Sequence, residues 1–473
     1  MSARLAAQRI LAAAVAATVV ATLGGCALKS PPPREDVVAQ ALPNFSIQEG
    51  WAAAAGSTGR VADNWLASFR DPQLDALVAE ALAFNPDLRV AAARVEQAAA
   101  YVRLSGATLY PQLNLRASGS AGADSNGVQG VGLFLNWELD LWGRIRAGRE
   151  ASQVQYVSAE LDAEYARQSI AALVAKSWFL ATEARLQKAI AEDMAAAAER
   201  QLGFAQDRLR VGLGNEYDVT LARANLASYR DGVLSLDLAY QQALRALETL
   251  AGRYPAAAVR VPAQLAPMPP AVPVGMPAEL LERRPDVVAA ERRVAAAFYR
   301  VEEAKAAKLP RISLTASLNS ISSEVFVLKE RDNPVWSVGA GLVAPLFLGG
   351  QLQAQQDIRT AEQQQAVAEY GRVGARAFGE VENALSAEFN LDAREAILKQ
   401  AVADNARALE LANIRYKVGS GDLRAVQQQQ LALAAARTAL LRVQSERLVQ
   451  RVNLHLALGG SFTELATGPV AAK

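Results

Sequence analysis

From Arg144 to Leu250 the chain contains no proline, and no other feature limits so strongly what it can fold into. Between Ala222 and Leu250 the apolar residues keep a four-three step through Ala222, Leu226, Tyr229, Val233, Leu236, Tyr240, Ala243, Leu247 and Leu250. That step is the seam of a coiled coil. The turn signal inside the stretch is Arg210-Val211-Gly212-Leu213-Gly214-Asn215. Gly212 suits a left-handed cap there, and Asp218 falls in the first turn of the helix that follows. The stretch is therefore predicted to be a helical hairpin with arms over 144–211 and 216–251. At about 1.5 Å per residue the first arm is on the order of 100 Å long, several times an ordinary helix of about 11 to 12 residues.

The same pattern occurs twice. Pro86, Arg94, Val95, Pro111 and Ser118 recur as Pro285, Arg293, Val294, Pro310 and Ser317, all at an offset of 199 residues. Leu139-Asp140-Leu141-Trp142-Gly143 answers Leu346-Phe347-Leu348-Gly349-Gly350, and Arg210-Val211-Gly212-Leu213-Gly214 answers Lys417-Val418-Gly419-Ser420-Gly421, both at 207. The difference falls between paired strands, where loops tolerate insertion. The chain is thus a tandem duplication, with a first repeat over 71–268 and a second over 269–459. The first holds a helix, strands at about 110–120 and 131–141, and the hairpin above. The second holds a helix, strands at about 310–319 and 334–346, a long arm over 351–418 and its partner over 422–458. Prolines at 255, 262, 267, 269, 270, 273 and 277 keep the join non-helical.

In the strands, Leu113, Leu115 and Ala117 alternate with Gln112, Asn114, Arg116 and Ser118. The return strand sets Val131, Leu133, Leu135, Trp137, Leu139 and Leu141 against Asn136, Glu138 and Asp140, and the second repeat sets Ile312, Leu314, Ala316 and Leu318 against Arg311, Ser313, Thr315 and Ser317. Strands of about ten residues with one apolar and one polar face match an outer-membrane barrel. Alternation alone fits a soluble sheet equally well. The secretory start, Trp137 and Trp336 on apolar faces, and the lack of an amphipathic helix to cover the sheet favour the barrel. Four strands cannot close in lipid, where about eight are needed and open edges are forbidden. Three copies, with twelve strands and twelve rods, are the simplest closure.

Composition narrows function further. The 473 residues carry 49 Lys plus Arg against 48 Asp plus Glu, so no basic field draws nucleic acid. One His and one Cys leave little for a catalytic centre, metal site or cofactor, and an enzyme is not expected. His455 reads as a packing residue. The cysteine has its own explanation. Residues 1–25 read as a signal peptide: Arg4 and Arg9 open it, Ile10 to Leu23 form an apolar run too short to span a bilayer, and Leu23-Gly24-Gly25-Cys26 closes it. This box predicts acylation of Cys26. Residues 26–70 then read as a linker and arm, beginning with the extended Lys29-Ser30-Pro31-Pro32-Pro33-Arg34, and 460–473 as a tail.

Asp71-Pro72-Gln73-Leu74, Asn85-Pro86-Asp87-Leu88, Leu280-Leu281-Glu282-Arg283-Arg284-Pro285-Asp286-Val287, Val343-Ala344-Pro345-Leu346-Phe347-Leu348-Gly349-Gly350 and the paired Val-Gly-x-Gly tips resemble the TolC family of outer-membrane factors. They look most like its NodT-like lipoprotein branch. The resemblance implies a homotrimer whose β-barrel, set in outer-membrane lipid, continues into a periplasmic helical tunnel. It implies docking through a periplasmic adaptor (membrane fusion) protein onto an inner-membrane transporter of RND type, and an energy-free duct for drugs, toxic organics or metal ions. Carried onto this chain, adaptor docking falls on Arg210, Val211, Gly212, Gly214, Lys417, Val418, Gly419 and Gly421. The gate falls on Asp422, Arg424 and Gln428, with Asp218 and Arg223 on the first hairpin. Where family members commonly place an acidic residue, this chain has Ala425 and Gln428, so Asp422 and Arg424 are expected to pair between protomers instead. Type I protein secretion and a non-conducting envelope tether are the alternative functions.

Overall fold

The computed structural model describes residues 28–47, 50–53, 59, 61, 63–118, 129–322 and 335–461. Cys26, most of both strand-to-strand loops and nearly all of the tail lie outside the described residues. In chain order the elements are α1 (Arg34–Ala41), a 3-10 turn (Trp65–Phe69), α2 (Pro72–Phe84), α3 (Pro86–Ala107), β1 (Gln112–Ser118), β2 (Gln129–Leu139), α4 (Arg144–Arg210) and α5 (Glu216–Leu250). There follow a second 3-10 turn (Pro277–Glu279), α6 (Leu280–Arg283), α7 (Pro285–Ala306), β3 (Arg311–Ser322), β4 (Val335–Val343), α8 (Gln351–Lys417) and α9 (Leu423–Ala457). Both long arms have 67 residues and both partners 35, so the duplication is preserved residue for residue in the hairpins.

Side-chain caps set where the helices start. Asp71 accepts from the amides of Gln73 and Leu74 at the head of α2. Asn85 does the same for Asp87 and Leu88 at the head of α3, satisfying amides that have no partner inside the helix. Pro72 and Pro86 occupy first-turn positions, where a missing N–H costs nothing.

The chain forms two compact units. One takes residues up to Phe45, Ala93–Leu161 and Asp286–Val373, and the other Ser46–Ala92, Asp162–Pro285 and Gly374 onward. Each unit draws on both repeats.

The first unit holds an antiparallel sheet in the order β1-β2-β3-β4. Its register settles the faces. Leu115 lies opposite Leu133, Leu133 opposite Leu318, and Leu318 opposite Trp336. Ala117 lies opposite Val131, Leu135 opposite Ala316, and Ala316 opposite Val338. Over these rows one face is therefore apolar, with Leu115, Trp336 and Val338 69%, 71% and 74% exposed and Leu135, Leu314 and Ala316 half-buried. The other face carries Gln112, Asn136 and Thr315 in one row and Asn114, Phe134, Ser317 and Ser337 in the next. Phe134 is an apolar residue on this face, as are Val335 and Val343 at the ends of β4, and the Arg116 guanidinium lies 5.3 Å above the Phe134 ring. Gly132 has no side chain because the Asn319 amide occupies that space; a Cβ would meet its oxygen at 1.9 Å.

The strands end where helix caps begin. β2 stops at Leu139, two residues short of the expected end, because the Asp140 carboxylate turns to accept from the amides of Ile145 and Arg146 at the head of α4. β4 stops at Val343, short of Pro345, which has no ladder donor. The arm also differs from expectation: Pro33 precedes a short helix, α1, whose Val37 is buried and whose Arg34 pairs with Glu291 at 2.8 Å.

The second unit is built around Trp65, Phe69, Leu74, Val78, Trp178, Phe179, Leu247 and Val452. The hairpins run antiparallel, as Lys188 reaching Asp237 and Glu199 reaching Arg230 show in one. In the other, Arg447 reaches Asp392 and Glu395, and Arg451 reaches Glu388. Arg284, fully buried, donates to Glu380 at 2.6 Å and to the Ala457 carbonyl, while Arg283 donates to Asp63 and the carbonyls of Val61 and Gly459. Glu248 holds the inter-repeat join by accepting from the amides of Ala257, Ala258 and Val259. Burial pushes its carboxyl up, and those three donors more than offset this, leaving it below the usual carboxylate range.

His455 is a packing residue, stacked on Trp65 at 5.7 Å and buried. Burial first, and the charge of Arg451 second, push its pKa down to about 3 from 6.5. The folded state thus favours the neutral ring, and the unfolded chain takes up a proton first as pH falls. Its contribution to stability is full above pH about 6.5 and is withdrawn progressively towards 3. Replacing His455 with Phe should flatten this part of the pH profile. Thermal midpoints between pH 7.5 and 4 that run parallel for the two proteins would contradict it. On the sheet, Arg in place of Leu133 or Leu314 should cost about 2 to 4 kcal/mol near the bilayer midplane, read as lost membrane assembly; normal assembly of both variants would refute a lipid-facing position.

Candidate functional site

The two hairpin tips form the candidate site, and both are built by the same local chemistry. Beyond α4, Gly212 takes φ +76°, with Val211 N–H donating to Asp207 and Leu213 N–H to Arg208. Beyond α8, Gly419 takes φ +80°, with Val418 donating to Ile414 and Ser420 to Arg415. These are left-handed closures of the last helical carbonyls, which glycine adopts without strain. Gly214 and Gly421 serve a different end: they lie against the helix just left, and a Cβ would meet Arg208 or Arg415 at 3.0–3.1 Å. Asn215 then accepts from the Asp218 amide and Asp422 from the Ala425 amide, starting α5 and α9.

Under the tips lies a small core of Ala205, Val219, Ala222, Tyr416, Leu423 and Val426, drawn from both hairpins. Tyr416 is its centre, 5% exposed, with Phe204 edge-on at 5.5 Å. Arg208 lies 5.1 Å from the Tyr416 ring centre and donates to the Tyr416 carbonyl at 3.1 Å and to Leu213 at 3.0 Å. Burial, then the charge of Asp218, raises the Tyr416 phenol. Arg424, from the second hairpin, sits 5.6 Å over the ring of Tyr217 on the first. Two arginine-aromatic contacts of opposite direction thus tie one hairpin to the other, each worth about 0.5–1 kcal/mol where exposed.

The expected docking residues lie on the outside of this knot. Val211 and Val418 are exposed, as is Leu213, and Arg210 pairs with Asp207 one turn back, at 2.6 Å. Lys417 is exposed as well. Of the gate residues, Asp422, Arg424, Gln428 and Arg223 are exposed and Asp218 half-buried. Within one chain Asp422 caps α9 and Arg424 lies over the Tyr217 ring. Sequence reasoning missed Arg208, Phe204 and Tyr217, and read Tyr416 only as the start of the second tip, not as its packing centre. Their signal was local: an aromatic or arginine three to eight residues before or after each glycine pair. Among the described residues no group of His, Cys, Asp and Glu could hold a metal ion, and no helix is long and apolar enough to cross a membrane.

A protein-family model described as "Outer membrane efflux protein" matches residues 77–253 and 276–460, two segments that follow the duplication. The pyoverdine export outer membrane protein OpmQ of Pseudomonas aeruginosa is 31% identical over 437 residues, covering 87% of this chain and 90% of that one. The cation efflux system protein CusC of Escherichia coli is 30% identical over 463 residues, covering 93% and 98%. Among solved structures, the outer-membrane channel OprN superposes with a TM-score of 0.80 at 28% identity, over 89% of this chain and 99% of that one.

Truncating Tyr416 to Ala should cost about 3 to 5 kcal/mol, and the loss should be local. Hydrogen exchange of the amides near 205–223 and 412–426 should quicken while that of the Trp65 core stays unchanged. Unaltered exchange at the tips would show that Tyr416 does not hold the hairpins together.

Proposed function

We infer that this chain, which belongs to the outer membrane efflux protein family, is the passive exit duct of a tripartite efflux pump. The observation that carries the reading is the sheet: four strands, one face apolar across its central rows and largely exposed at β1 and β4, with β1 and β4 unpaired on their outer sides among the described residues. In lipid such a sheet must close with copies of itself. Three chains give a barrel of twelve strands in the outer membrane and an α-barrel of twelve helical rods reaching into the periplasm. The duct has no energy source of its own, and the work comes from the transporter it serves.

The partners follow from this reading. A periplasmic adaptor protein docks on the exposed Val211, Leu213 and Val418 at the tips, and the adaptor connects the duct to an inner-membrane transporter of RND type. Acylation of Cys26 fastens the chain to the membrane; each buried acyl methylene adds about 0.8 kcal/mol of anchoring. Asp422, Arg424, Gln428, Asp218 and Arg223 stand where the two hairpins part, and the contact of Arg424 with Tyr217 is the one to break when the duct opens. Drugs, toxic organics and metal ions are the cargo classes; CusC is named for cation efflux and OpmQ for pyoverdine export.

Deleting the gene from a strain without other exit ducts should raise sensitivity to at least one member of a panel of antibiotics, solvents and metal salts, with tolerance restored by the wild-type gene. Unchanged tolerance across the panel would contradict the efflux reading and favour a non-conducting tether.

A further inference from the structure

The polar face of the sheet ends, at the foot of β2 and β3, in a cluster of arginines. A cavity of about 260 Å³ there is lined by Arg144, Arg300, Arg311, Arg359, Glu303 and Leu352, among others. Register fixes the side on which it lies. Arg311 belongs to the polar set of β3, and Glu138, which Arg144 meets at 2.9 Å, belongs to the polar set of β2. The cavity therefore lies on the side of the sheet that faces away from lipid.

Its charges do not cancel. Arg144 is matched by Glu138, and Arg359 by Glu362 at 2.8 Å. Among the described residues Arg300 and Arg311 make no ion pair. What remains to face them is Glu303, whose carboxylate lies against α4 where Gly148 leaves room; a Cβ at 148 would meet it at 3.0–3.3 Å. Burial pushes the Glu303 carboxyl up, and Arg144, Arg359 and Arg300 oppose that shift without reversing it. Arg300 and Arg311 thus line the cavity beside a single buried carboxylate that is not ion-paired to either.

Guanidinium forks match the paired oxygens of carboxylates and phosphates. Liquid water occupies about 30 Å³ per molecule, so the cavity admits an oxyanion with several waters, whereas sites for whole drug-sized molecules run to about 300–1,000 Å³. We propose that this cavity is an anion-binding station on the inner wall of the duct, taking a phosphate, sulfate or carboxylate group of passing cargo between Arg300 and Arg311. The proposal rests on the duct reading, since it needs the polar face to line the lumen. The charge of Glu303, which acts on Arg300 in the same cavity, opposes an incoming anion and keeps the hold weak, as a conduit requires. A trimer carries three such stations at one level.

The test is calorimetric titration of inorganic phosphate into the detergent-solubilised full-length assembly at constant ionic strength. Wild type should show saturable binding at one phosphate per chain, competed by sulfate. Arg300→Gln and Arg311→Gln should each weaken it at least tenfold while eluting as wild type does on a sizing column. Arg311 is exposed, so its variant keeps the test open if Arg300→Gln fails to assemble. No saturable binding by wild type, or equal affinity in the variants, overturns the proposal. So does phosphatidylglycerol that co-purifies with wild type, resists displacement by phosphate and is lost from the variants, because the pocket would then belong to a lipid headgroup. Failure of the duct reading shows elsewhere, as unchanged drug and metal tolerance on gene deletion, whatever phosphate does.

Discussion

A backbone N–H or C=O left unpaired in hydrocarbon costs several kcal/mol, and the outer edges of β1 and β4 present a row of them. The rest of the molecule is arranged around that cost. The sheet exposes an apolar face that only lipid or a partner protein can cover, and its strands are too few to close alone. An assembly of several chains is therefore a condition for the fold to exist in a membrane. The long arms α4 and α8 follow β2 and β4 in the chain, each after a short cap or turn.

Helices of 67 residues do not bury a globular core, and the chain compensates with fastenings of high directionality. The Arg283-Arg284 pair ties α6 to the N-terminal arm, to α8 and to the end of α9. Arg451 reaches Glu388 and the carbonyls of Pro269 and Pro270, holding the proline-rich join against the second hairpin. Removing one member of such a buried set leaves an uncompensated charge, which typically costs about 3 to 5 kcal/mol. The tips are held more lightly, by a small core centred on Tyr416 and two arginine-aromatic contacts, and a part that must move is expected to come from the weakly held end of a structure.

Much of this was legible in the residues. Freedom from proline and the four-three step located the hairpins, because a coiled coil advertises its seam in sequence. Alternation located the strands, and the register then put every alternating apolar residue of the described strands on one face. Gly212 and Gly419 announced the left-handed turns. What escaped were contacts that depend on approach in space rather than on spacing in sequence. Arg208 and Tyr416 lie 208 residues apart, and no periodicity couples them. Helix α1 escaped because three prolines precede it and its single buried side chain, Val37, leaves no pattern. Asp140 was read as one more polar strand residue, whereas its carboxylate caps α4.

The central claim is that one chain supplies a third of a closed wall. Native mass spectrometry of the protein extracted from outer membranes tests it most directly. The account predicts a single species of three chains, about three times the 50.3 kDa of the unprocessed chain less the signal peptides. A stable monomer would contradict it, above all one whose apolar strand face resists exchange in detergent because its own helices cover it.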